Sequence, residues 1–135
     1  MIRSFHNIGF FDIAFRPWHR RFIAFAERYF DVGSDPFDAC VRWYLDWNAR
    51  CEALGAYRVP IEKIEAEMPR ILRHIGAVAE RQGPAPSATY NKRPSVYSAP
   101  PSREAFAQQL QEHPCAAALA SMSARYGYGS EPWRD

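Results

Sequence analysis

Glu62, Glu65 and Glu67 stand close enough along the chain to suggest an acid/base pair, a common device for moving protons. A carboxyl becomes a useful acid near neutral pH when an apolar surround raises its pKa. The sequence indicates no such pocket here, so the reading is a solvated turn. His6, His19, His74 and His113 have no H-E-x-x-H spacing and no Ser or Cys motif beside them. Cys40, Cys51 and Cys115 are an odd set with no C-x-x-C pair. The first two fall on one expected helix, about 16 Å apart along its axis, too far to bridge. Small core residues are the expected use of all three. G-x-x-x-x-G-K-[ST], G-x-G-x-x-G and G-x-S-x-G are all absent from the sequence. No complete catalytic motif remains, and no metal or cofactor is expected.

What remains is binding chemistry. Arg16, Arg20, Arg21 and Arg28, with His19 beside them, fall on the polar side of an expected helix whose other side is aromatic. Guanidinium groups so placed can grip carboxylates or phosphates. Glu27 interleaves with them, and a plain solvated face is the competing reading. Asn91, Lys92 and Arg93 form a second cationic cluster in a loop, where Tyr90 and Tyr97 could stack on a ligand ring. A loop merely anchored by its tyrosines competes with that one.

The elements that must position these groups are mostly helices. Pro17 suits a first helical position, and Trp18, Phe22, Phe25 and Tyr29 recur at helical spacing, predicting a helix over residues 17–30. Ser34-Asp35-Pro36 is a start signal, and Phe37, Val41, Tyr44, Trp47, Cys51 and Leu54 follow one face to Gly55, predicting a helix over 36–54. Trp43 or Trp47, with Tyr44, is expected to anchor the centre. Residues 57–61 have strand composition, but Pro60 confines them to a short edge. A turn of helix at 62–67 then leads to a helix opened by Pro69 and closing near 82–83, with Ile71, Leu72, Ile75 and Val78 inward. Ser102 caps a helix to about residue 112, and an Ala-rich one follows from Pro114 to Tyr126, stopped by Gly127.

Two segments resist this pattern. Residues 1–15 are too apolar for a solvated tail, and Gly9 interrupts a helix, so a strand or packed irregular arm is expected. Residues 83–101 hold five prolines but also Tyr90, Val96 and Tyr97, which predicts an ordered loop draped over the core. The expectation is one mainly α domain over residues 1–135: a compact bundle of about four to five helices, at most one or two short strands, and a long Pro-rich loop.

The 135 residues suit one domain, and the 15% aromatic share supplies a substantial core. No apolar run of membrane-spanning length occurs and no signal-peptide order opens the chain, so a cytoplasmic protein is expected. A formal charge of +2 falls well short of a duplex-binding stripe, and direct nucleic-acid binding is not expected.

An ordered series runs through Trp43-Tyr44-Leu45-Asp46-Trp47-Asn48, Glu52, Tyr57-Arg58-Val59, Ile61-Glu62, Asn91 and Tyr126-Gly127-Tyr128. It resembles the C-terminal part of bacterial and phage sulfotransferase-like proteins, over about residues 15–129. The family begins with a strand, a loop rich in Arg, Ser, Gly and Thr for the donor's 5′-phosphosulfate, and a helix facing it. This sequence has none of these, and of the donor contacts only Asn91-Lys92-Arg93 could correspond. The resemblance thus implies a phage or mobile-element protein derived from a sulfotransferase-like domain but without its catalysis. Such a protein would bind a macromolecular partner, protein or ribonucleoprotein, or form a homodimer, and could inhibit a host nucleic-acid defence complex. The alternative is a split sulfotransferase-type domain that binds a 3′-phosphoadenosine nucleotide with its missing half supplied in trans. On the first reading Arg16, His19, Arg20 and Arg28 form the contact, joined by Phe10 and Phe11 as part of an aromatic excess that one core cannot bury.

Overall fold

The computed structural model describes residues 2–12, 17–60, 63–77 and 95–129. These contain six α-helices: α1 (Ile2–Asn7), α2 (Arg20–Tyr29, entered through a 3-10 turn at Pro17–His19), α3 (Pro36–Ala53), α4 (Ile64–His74), α5 (Arg103–Glu112) and α6 (Ala116–Arg125). The fold is mainly α, as expected, and no strand occurs among the described residues.

The secure starts are made by side-chain caps. Asp35 Oδ1 accepts the Asp38 N–H at 2.8 Å while Pro36 fills the first position, so Asp35 rather than Ser34 caps α3. Ser102 Oγ accepts the Ala105 N–H at 3.1 Å and starts α5. α3 is the central element. Its Ala39, Cys40, Val41 and Trp43 are buried against Ile2 of α1, Ile23 and Ala26 of α2, Phe106 and Leu110 of α5, and Leu119 of α6.

Three expectations require correction. Ile2–Asn7 form a helix rather than a strand, residues 8–12 are packed and irregular, and residues 13–15 of the expected arm lie outside the described residues. Gly9, read as a breaker, instead ends α1 with a φ of 61°, letting Gly9 N–H reach the His6 carbonyl and Phe10 N–H the Phe5 carbonyl at 2.8 and 3.0 Å. Residues 57–60 form no strand; Tyr57 leaves the chain to lie on α4, its ring 5.0 Å from that of His74 and its hydroxyl 3.2 Å from Glu67. Pro69 lies inside α4 rather than opening it, and the helix closes at Gly76, whose N–H meets the Arg73 carbonyl. Ile75, expected inward, is therefore past the last turn and 66% exposed, while Ile71 and Leu72 are half-buried and Val78 lies outside the described residues. Of the Pro-rich loop, residues 83–94 also lie outside them. The described end is tied to α1, through Val96 N–H to the Asn7 carbonyl at 2.8 Å and the Tyr97 ring stacked 5.1 Å from His6.

Candidate functional site

The α2 helix buries Ile23 and Ala26 and half-buries Phe22, so its inward line runs through residues 22, 23, 26 and 30. That line lies to one side of the sequence-predicted 18–22–25–29 stripe. Phe25 and Tyr29 are consequently left 44% and 48% exposed at its edge. Trp18, in the preceding turn, and Trp47 of α3 are also exposed, at 69% and 47%. The exposed rings are connected through buried ones: Phe25 packs on Tyr29 at 4.9 Å and on Phe30 at 6.1 Å, Phe30 lies 6.4 Å from Trp47, and Trp47 stacks on Trp43 at 5.3 Å. Arg50 spans the seam between α2 and α3, with its guanidinium 4.5 Å from the Phe30 centroid and a hydrogen bond to the Tyr29 carbonyl.

Cations border this aromatic surface. Arg21 and Arg28 are seven residues apart, which turns them only about 20° from each other around the helix, next to Phe25 and Tyr29. Arg20 lies further round. Arg42 is paired with Asp31 and Asp38, Arg58 and Arg125 with Glu52, and Arg70 with Glu67. No ion pair among the described residues engages Arg20, Arg21 or Arg28, and the Arg28 guanidinium lies over the Tyr29 ring at 5.5 Å. Beside them the turn of residues 27–34 makes an open groove.

The sequence-predicted contact residues divide accordingly. Arg20 and Arg28 are exposed on α2. Arg16 lies outside the described residues, as do Asn91, Lys92 and Arg93. His19 is half-buried with Nδ1 3.1 Å from the Phe10 carbonyl, which can only accept, so Nδ1 donates inward and ties the entry of α2 to the turn after α1. Phe10 and Phe11 correct the expected aromatic patch. Phe11 is 7% exposed in the core, and Phe10 is half-buried between Phe5, Phe11, His19 and Phe22. The turn after α1 folds them inward. Phe25, Tyr29 and Trp47 fall within the expected inward faces of the two helices, so spacing alone does not mark them as surface, and Arg50 belongs to no motif. The available signal was Ile23, Ala26 and Phe30, a second apolar line that competes with the first.

Several of the groups that could do chemistry among the described residues have structural partners. His113 has a side chain 7% exposed; Nδ1 accepts the Cys115 backbone N–H at 3.1 Å, so Nε2 carries the proton and donates to Asp38 Oδ1 at 2.9 Å. Asp38 also receives Arg42 Nε at 2.8 Å. With both ring nitrogens occupied, His113 has no site from which to take a proton from substrate; it pins the α5–α6 corner to α3. Glu65 is exposed at the start of α4, Glu67 holds Tyr57 and Arg70, and Glu62 lies outside the described residues. Burial pushes the Cys40 thiol up to about 12, with the Asp35 charge adding to it, so it stays protonated. No cluster of His, Cys, Asp or Glu among the described residues could hold a metal.

One convergence was not visible in spacing. Glu52, Arg58 and Tyr126 meet at the ends of α3 and α6. Glu52 takes Arg58 Nη1 at 2.7 Å and Arg125 Nη2 at 3.4 Å, and the Arg58 guanidinium lies 5.0 Å from the Tyr126 centroid. Burial would raise the Glu52 carboxyl, but the hydrogen bond from Arg125, the neighbouring Tyr126 hydroxyl and the two arginine charges outweigh it and hold the pKa below its ordinary value. These residues form a clasp between elements. No family model matches the chain, and comparison with curated proteins and with solved structures finds no match.

Proposed function

We propose that this chain is a non-enzymatic interaction domain that binds a macromolecular partner through the α2 face and the adjoining edge of α3. The observation that carries this reading is the coincidence of exposed Phe25, Tyr29 and Trp47 with arginines that form no ion pair among the described residues. Tryptophan, tyrosine and arginine dominate the energetics of protein interfaces, because each combines a large contact area with a directed polar group. Exposed guanidinium groups contribute little to folding, which leaves them available for a contact made outside the chain. The finer part of the proposal, descent from a sulfotransferase-like domain and inhibition of a host nucleic-acid defence complex, draws on the sequence resemblance alone.

The test is affinity capture from a host extract with the unchanged chain, with Arg20→Glu/Arg21→Glu/Arg28→Glu and with Trp47→Ala, each shown by thermal melting to be folded. A specific partner should be retained by the unchanged chain, lost by both variants and weakened by salt. Equal retention by all three would end the proposal for this face.

A further inference from the structure

We infer that the occupant of this face is an acidic amphipathic helix of a partner protein, an inference that rests on the interaction reading above. Arg21 and Arg28 lie about 10.5 Å apart along the helix axis, by the 1.5 Å rise per residue. Phe25 stands between them and Tyr29 at one end. A helix laid alongside α2 with carboxylates seven residues apart presents them at that same separation, and its apolar residues three or four positions on fall against Phe25. Each carboxylate can then form a charge-assisted bond with a guanidinium that has no ion pair among the described residues. Trp47, across Phe30, widens the apolar strip to which the partner's other anchors would dock.

The same observations disfavour a nucleic-acid strand. Its continuous negative charge would meet exposed Glu27, on the same helix as the arginines, on a chain of formal charge only +2. Base stacking needs parallel open ring faces, but Phe25 and Tyr29 lean together at 45° and Trp47 already stacks one face on Trp43. An extended peptide has nothing to pair with, since no strand edge exists among the described residues.

The experiment is selection of a displayed library of helical peptides, about twenty residues long so that the helix is stable, on the full chain, beside a fluorescence titration with a poly-dT oligonucleotide. Recovered peptides should carry Asp or Glu at i and i+7 with Leu, Phe or Met at i+3 or i+4. Their affinity should fall at least about tenfold for Arg21→Glu/Arg28→Glu and for Phe25→Ala. Arg21→Gln/Arg28→Gln serves as the milder pair if charge reversal disturbs the melt. Peptides without acidic bias that still need Arg21, Phe25 and Arg28 would overturn the inference while leaving the interaction face in place. Oligonucleotide binding through the same arginines, with no acidic peptide recovered, would also overturn it. Peptides indifferent to every variant would overturn both the inference and the proposed face.

Discussion

His6 sits where a positive charge is costly, its ring stacked on Tyr97 and set edge-on to Phe37 at 5.7 Å. Burial lowers its pKa, against smaller opposing effects from Asn7, Asp35 and Asp12. The unfolded chain, with an ordinary imidazole near ~6.5, therefore binds the proton before the folded chain does. The neutral ring's contribution is complete above that pH and is lost as pH falls below it. Urea midpoints at about pH 7.5 and about pH 5.5 should show that loss, and His6→Phe should reduce it; an unchanged pH slope would mean that His6 protonates in place without penalty. Cys40 gives a second prediction. Held protonated and 1% exposed, it should resist iodoacetamide in the folded chain and react only in denaturant, as read by mass spectrometry, while half-buried Cys51 and Cys115 react earlier. Its core placement was legible because no paired cysteine spacing offered an alternative. The role of His113 was not legible, because Asp38 lies 75 residues away and only tertiary packing joins them.

Helix starts were readable where a side chain supplies the missing acceptor, as at Asp35 and Ser102, because a cap is a local event encoded in a few consecutive residues. Which face turns inward was less readable. On both α2 and α3 the aromatic residues outnumber the positions that can be buried, and the contacts between helices decide among them. Trp43 is 8% exposed and packs on Phe11, Phe22 and Phe30, whereas Trp47 covers it from outside. Trp43→Ala should therefore cost about 3–5 kcal/mol, and Trp47→Ala no more than about 1 kcal/mol, with partner affinity moving in the opposite order. Comparable losses of stability for the two would place Trp47 in the core. The turn between α2 and α3 offers a sharper test. Gly33 has a φ of +66°, and a Cβ there would lie 2.7 Å from Asp38 Oδ2, the carboxylate that holds Arg42 and His113. Gly33→Ala should destabilise by more than about 1 kcal/mol through backbone strain and displacement of that carboxylate, and a neutral effect on the urea midpoint would show that the turn relaxes freely.

At the scale of the molecule, burial is uneven. α1, α2, α3, α5 and α6 share one hydrophobic cluster, but α4 buries no residue fully and is held by Tyr57, through Glu67, His74 and Arg70. The segment bearing Tyr57 is fastened to the rest by the neighbouring Arg58, whose guanidinium reaches Glu52 on α3 beneath Tyr126. The Glu52 clasp therefore governs how firmly α4 is attached, without being part of the core itself. Replacing Glu52 by Gln leaves the Arg58 and Arg125 charges side by side without their shared carboxylate, so the segment should detach more often while α3 stays packed. Hydrogen exchange should accelerate across residues 57–74 and change little at residues 39–43. Acidification should produce the same pattern in the unchanged chain, since the Glu52 carboxyl lies below its ordinary value of about 4.3 and its contribution is lost as pH falls through the folded pKa. If exchange instead rises uniformly with a lower melting temperature, α4 belongs to the single cooperative unit, and the clasp acts on the whole fold at once.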